Sequence, residues 1–233
     1  MWRTSLTSPA FADRRQAGRR LAQRLEQYRD DQPVVLALPR GGVVIGYEIA
    51  RALNAPLDVI VARKVGVPGH RELGMGAIAP GGVRVIDEAT VRMLGITQAQ
   101  IDRVVQEEAA EMERRLRTFR GNRAAPDLHG KTAIIVDDGL ATGVTARAAI
   151  EWTHRQQPRR TVLAVPVSAP ETVAALQVAV DDLVCVEMPV NFVAVGFWYE
   201  DFDQTTDREV IDLLERAGRE YHSDAGGNGQ RSA

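Results

Sequence analysis

Short, unbroken apolar runs alternate along this chain with stretches in which apolar residues recur every three or four positions. Val34-Val35-Leu36-Ala37-Leu38 is continuous and rich in β-branched residues, and it stops at Pro39-Arg40-Gly41-Gly42. That pattern predicts a buried strand. The segment after it puts Val44, Ile45, Ile49 and Leu53 at helical spacing, with Glu48 and Arg51 elsewhere on the wheel. Further strand candidates are Leu57 to Ala62, Thr132 to Val136, Thr161 to Val165 and Leu183 to Val186. Helical patterns follow at Val144 to Arg155 and, after Pro170, at Glu171 to Val178. Continuous apolar strands separated by helices predict an α/β fold, a Rossmann-like parallel sheet flanked by helices on both faces. In such sheets the ligand sits at the carboxyl ends of the strands.

Three regions break this rhythm. Residues 11–29 form an amphipathic helix with Ala17, Leu21, Leu25 and Tyr28 on one face, while Arg14, Arg15, Arg19, Arg20 and Arg24 lie mostly off it. Residues 97–120 form a longer inserted helix with Thr97 as N-cap. Its run of Glu107, Glu108, Glu111, Glu113, Arg114, Arg115 and Arg117 reads as a solvated face with i,i+4 pairs such as Glu111–Arg115. Residues 65–82 carry six glycines and two prolines. Following the second strand, they predict a mobile lid. Residues 1–222 are expected as one domain and 223–233, rich in Gly and small polar residues, as a disordered tail.

Composition narrows the function. The chain of 233 residues carries 29 basic and 31 acidic side chains, a net charge of −2. That balance disfavours a protein that coats nucleic acid. One cysteine, Cys185, excludes an internal disulfide framework and a multi-cysteine zinc site; its place in the fifth strand pattern predicts a buried small hydrophobe. His70, His129, His154 and His222 show no metal-ligand spacing. No stretch approaches the roughly 18 apolar residues of a membrane span, and Met1 to Thr7 lacks the apolar block of a signal peptide. A soluble, cytoplasmic protein without nucleic-acid or membrane partners is expected.

The chemistry concentrates at the third strand, which runs into Val136-Asp137-Asp138-Gly139-Leu140-Ala141-Thr142-Gly143-Val144-Thr145. Gly139 and Gly143 allow successive N–H groups to face one ligand. Thr142 and Thr145 add hydroxyls, and the loop empties into a helix N-terminus that favours a phosphate. Asp137 and Asp138 would repel a bare phosphate. They fit a ligand that also offers sugar hydroxyls or carries Mg²⁺. A ribose 5-phosphate meets both demands. A Walker-A loop would need Lys before Ser/Thr, and Gly139…Gly143 does not supply the glycine pattern of a dinucleotide fold.

Val136 to Thr145 resembles the phosphoribosyl-pyrophosphate (PRPP) signature of the type I phosphoribosyltransferases, with likeness over roughly residues 30–215. The nearest impression is of the uncharacterised bacterial predicted phosphoribosyltransferase group, whose ending is similar to Val195-Gly196-x-x-Tyr199-Glu200-Asp201-Phe202. The resemblance implies a phosphoribosyltransferase fold with a small hood at residues 187–205. It implies transfer of the 5-phosphoribosyl group to a nitrogen heterocycle, with Mg²⁺ as cofactor. Asp137 and Asp138 would hold the ribose hydroxyls, directly or through Mg²⁺, and residues Gly139, Leu140, Ala141, Thr142, Gly143, Val144 and Thr145 the 5-phosphate. Arg40, Gly41 and Gly42 resemble the pyrophosphate loop. Arg63 and Lys64 resemble the basic pair that stabilises the leaving group, and Phe192 and Trp198 would lie against the acceptor. Ala141 replaces the aspartate that serves the purine N7 in the hypoxanthine-guanine branch. Val165-Pro166-Val167-Ser168 replaces its base-reading lysine segment, which argues against a 6-oxopurine. The alternative reading is a non-catalytic PRPP or nucleotide-binding regulator. The acceptor and the oligomeric state stay open, a homodimer included.

Overall fold

The computed structural model describes residues 9–227. Its centre is a five-stranded parallel sheet built from β1 (Pro33–Ala37), β2 (Leu57–Val59), β6 (Thr132–Val136), β7 (Arg160–Val167) and β8 (Asp182–Glu187), in the order β2-β1-β6-β7-β8. Every residue of β1 and β6 is buried, as expected for strands covered on both faces. Successive side chains point to opposite faces. Val35, Ile134 and Val162 accordingly pack with α1 (Arg14–Leu25) and α2 (Gly41–Leu53). Leu36, Ile135 and Leu163 pack instead with α5 (Val144–Arg155) and α6 (Pro170–Gln177). The strand order turns in opposite directions on either side of β1, so the crevice of such a sheet opens beside the carboxyl ends of β1 and β6.

The segment expected as an irregular lid is instead sheet. β3 (Arg63–Val67), β4 (His70–Ala79) and β5 (Val83–Ile86) form an antiparallel ladder in that order. Its glycines serve close packing: a Cβ on Gly66 would sit 2.6 Å from the Arg71 carbonyl oxygen, and one on Gly76 would collide with that of Val85. Register shifts beside Gly66 mark a bulge, and Gly69, at φ 80°, makes the turn. The small sheet rests on α5, where Ala77, Ala79 and Val83 meet Ala148. The second strand candidate is also shorter than expected, ending at Val59.

The inserted helix is α4 (Gln98–Arg120), with α3 (Glu88–Leu94) before it. Thr97 and Gln100 form a reciprocal capping box at its start. Thr97→Ala should cost about 1 kcal/mol of stability in a denaturant titration. Glu111 pairs with Arg115 at 2.7 Å, as the spacing predicts. The charge run is not wholly solvated, however: Glu108 pairs with Arg63 and Glu107 with Arg71, tying α4 to the β3–β4 hairpin.

The last helix, α7 (Asp207–Gly227), packs on α2 and α4 and continues into the segment expected as a tail. Residues 1–8, where no signal peptide is expected, and 228–233, the rest of the expected tail, lie outside the described residues. Cys185 is buried as expected, and burial pushes its thiol up to about 11. Among the described residues no helix is long and apolar enough to cross a membrane.

Candidate active site

Two loops meet where the sheet order turns. Leu38 continues the line of β1 by donating its amide to the Val136 carbonyl at 2.8 Å. A cis peptide joins Pro39 to Arg40, and α2 begins at Gly41 without a side-chain cap. Asp137 and Asp138 follow β6 directly. The two glycines of α2 are what allow its first turn to lie against them. A Cβ on Gly41 would run into the Asp138 carboxylate, and one on Gly42 would come within 2.8 Å of the Val136 carbonyl oxygen and 3.1 Å of Asp137 Cα.

Beyond the acids the chain is held from below and covered from above. The Leu140 amide donates to the Val167 carbonyl at 2.9 Å, and Thr172 Oγ1 donates to the Ala141 carbonyl at 2.6 Å. Gly139 lies beneath Val195 of the hood, whose methyl groups would be 2.6 and 2.9 Å from any added Cβ. Gly143, at φ 67°, precedes α5, which also starts without a side-chain cap. The first amides of α2 and α5 therefore have no partner within their own helices. Both helix starts flank the acid pair, with Thr142 exposed and Thr145 half-buried beside the second. The arrangement suits a ligand with anionic groups at two places and polar hydrogens between.

The acids are strongly perturbed. Burial and the Asp138 charge push Asp137 well above the usual carboxylate range. Burial also raises Asp138, against the pull of Arg14. Asp137 Oδ1 accepts from the Asp138 amide at 2.8 Å, and Asp138 Oδ2 accepts from Arg14 Nε at 2.8 Å. The Tyr199 hydroxyl donates to the Asp138 carbonyl at 2.7 Å, and burial raises its phenol. Arg14 and Tyr199 were not among the expected site residues. Both reach the acids from segments distant in sequence; Tyr199 lies in the ending Val195 to Phe202, whereas no motif singles out Arg14.

The remaining candidates divide. Arg40 pairs with Asp207 at the start of α7, 3.6 Å away. Arg63 Nε donates to Glu108 at 2.8 Å, and Lys64 Nζ donates to the Glu72 carbonyl at 2.6 Å. These two basic residues line a cavity of about 340 Å³ with Gly66, Arg71 and Arg103, between the hairpin and α4. No recorded contact joins them to the acid pair. Phe192 and Trp198 are partly buried against the cluster of Phe11, Val186 and Tyr199. The aromatic rings associated with the acid pair are those of Tyr199 and Phe202, 5.0 Å apart and both near Arg14. Among the described residues, no three His, Cys, Asp or Glu side chains group as a metal site.

The fold agrees with the family comparisons. The profile of the phosphoribosyl transferase domain matches residues 11–201, and the chain belongs to that family. A crystal structure of TT1426 from Thermus thermophilus is 39% identical, covering 88% of this chain and 98% of that one with a TM-score of 0.76. Two proteins of Mycobacterium tuberculosis, from strains CDC 1551 and H37Rv and named provisionally as phosphoribosyl transferases, are each 46% identical over 211 residues. That match covers 91% of this chain but 48% of theirs, so the chain spans about half the length of these curated relatives.

Proposed function

We propose that the protein transfers the 5-phosphoribosyl group of PRPP to a nitrogen heterocycle and releases pyrophosphate. The observation that carries this reading is the acid pair at the end of β6, set between the uncapped starts of α2 and α5. Residues Gly139 to Thr145 would hold the 5-phosphate, and the backbone at Arg40-Gly41-Gly42 the pyrophosphate. The acids would accept from the ribose hydroxyls and favour the positive charge that develops on the ring. In the reaction the C1–oxygen bond to pyrophosphate breaks and a nitrogen–C1 bond forms with inversion, the acceptor nitrogen losing its proton. Positioning supplies much of the rate.

Two neighbouring carboxylates fit Mg²⁺, which keeps waters and substrate oxygens as its other ligands; when bound, it would neutralise charge on the departing pyrophosphate. Arg63 and Lys64 would join that group once their side chains release Glu108 and the Glu72 carbonyl. Phe192 and Trp198 would form the hydrophobic side of the acceptor pocket. The reading places the protein in solution in the cytoplasm.

The engagement of both basic residues elsewhere supports a second reading, a PRPP- or nucleotide-binding regulator without turnover. The two separate in a screen of heterocyclic acceptors for PRPP-dependent release of pyrophosphate in the presence of Mg²⁺. Release with at least one acceptor, lost on chelation, is the expected result. Tight PRPP binding with no release across the panel would favour the regulator, and no PRPP binding would overturn both.

A further inference from the structure

The first residue of the N-terminal helix is held as a functional side chain is held. Arg14 Nε donates to Asp138 Oδ2, and Nη1 donates to the Asp203 carbonyl, each at 2.8 Å. The guanidinium carbon lies 3.8 Å from the Phe202 ring centroid. Only 12% of the side chain is exposed, whereas Arg15 and Arg19 on the same helix are 43% and 54% exposed. The backbone before it is fastened as well. The Ala10 and Phe11 amides donate to the Trp198 carbonyl, and the Glu200 and Asp201 amides donate to the carbonyls of Phe11 and Ala12. Asp13 then caps α1 by accepting from the Gln16 amide. A surface arginine contributing a general positive charge requires none of these restraints.

The effect on the acids is geometric. Arg14 occupies Oδ2 of Asp138, and the Asp138 amide occupies Oδ1 of Asp137. Among the described residues no group outside the pair donates to Asp138 Oδ1 or Asp137 Oδ2, and the two acid side chains hydrogen-bond to each other. Two adjacent acceptor oxygens on neighbouring residues match two hydroxyls on neighbouring carbons. We propose that Arg14 is a positioning residue that fixes Asp138 so that the acid pair presents one oxygen to each hydroxyl of a ribose diol. This rests on the phosphoribosyl reading of the site. Arg14 acts through Asp138, and it makes the N-terminal helix part of the site.

The test compares ribose 5-phosphate with inorganic phosphate, each titrated calorimetrically into the full chain with Mg²⁺. The wild-type chain is expected to prefer ribose 5-phosphate. Arg14→Gln should reduce affinity for ribose 5-phosphate at least tenfold and leave that for phosphate within twofold. Arg14→Lys keeps the charge but not the planar fork, and its preference should fall between the two; it carries the test if Arg14→Gln fails to melt cooperatively. A variant that keeps the wild-type preference, or loses both ligands equally, overturns the positioning role. A wild-type chain with no preference for ribose 5-phosphate overturns the phosphoribosyl reading itself and the proposal with it.

Discussion

Replacing Asp137 and Asp138 together by asparagine is expected to weaken binding of Mg-PRPP at least tenfold, about 1.4 kcal/mol, while the chain melts normally. The reason is the charge that the site concentrates. Two partly buried carboxylates stand side by side, and burial pushes both above their ordinary ionisation range. For a carboxylate whose folded-state value is raised, folding is disfavoured as pH rises through its unfolded value. Neutral isosteres at these positions should therefore cost the fold little, although Arg14 loses its partner. Bound Mg-PRPP, in contrast, would lose the negative charge that attracts its metal and the carboxylate oxygens that would accept from its ribose hydroxyls. Calorimetric titration beside a thermal melt measures both. Unchanged affinity in a folded double variant would remove the acid pair from the site.

Phe119→Ala should cost about 3–5 kcal/mol of stability, an effect on the fold rather than the chemistry. Phe119 is 1% exposed in the last turn of α4 and shares a cluster with Tyr47, Val59, Val65 and Leu214. Its neighbour Arg120 reaches Asp58 of β2 at 2.7 Å. The end of the inserted helix is thus bound to both the main sheet and the hairpin. The exposed Glu113–Arg117 pair on the same helix, 3.8 Å apart, should contribute no more than about 1 kcal/mol. Denaturant midpoints for Phe119→Ala and Glu113→Ala make the comparison. Equal midpoints would show that α4 rests on the domain without being packed into it.

What the sequence revealed and what it hid follow from the range of the interactions involved. β6 and α5 have the expected bounds, Thr132 to Val136 and Val144 to Arg155, because an unbroken apolar run, two acids and a Gly/Thr loop leave few alternatives. The acid pair and the glycines at 41, 42, 139 and 143 are legible for the same reason. The hairpin was misread because glycine suggests freedom. Gly66 and Gly76 lack side chains to let two backbones come close, and that need arises only once the strands are paired. Arg14 stands among five arginines with nothing local to separate it from Arg15. Its partner Asp138 is 124 positions away. Tyr199 stands out in the sequence only as part of the ending Val195 to Phe202, but its hydroxyl meets a carbonyl from 61 positions earlier. Aromatic residues are only 5% of the chain, yet five of them gather between 192 and 202, a grouping that fits a packed hood and an acceptor surface alike. In the folded protein Phe192 and Trp198 are partly buried against the core.

The bridge between Phe11 and Tyr199 also sets an order of events during synthesis. A chain emerging from its N-terminus presents Phe11 first, and the backbone groups that receive it arrive almost 190 positions later. Closing so long a span costs less once the intervening strands have brought the ends together. Until then Asp138 lacks its guanidinium partner, and the crevice exists as a half-built cup. The carboxyl end of this sheet is in this sense a late product of biosynthesis. A polypeptide released early, before Tyr199, would carry the whole loop from Gly139 to Thr145 and still lack the backbone that fastens the segment before Arg14.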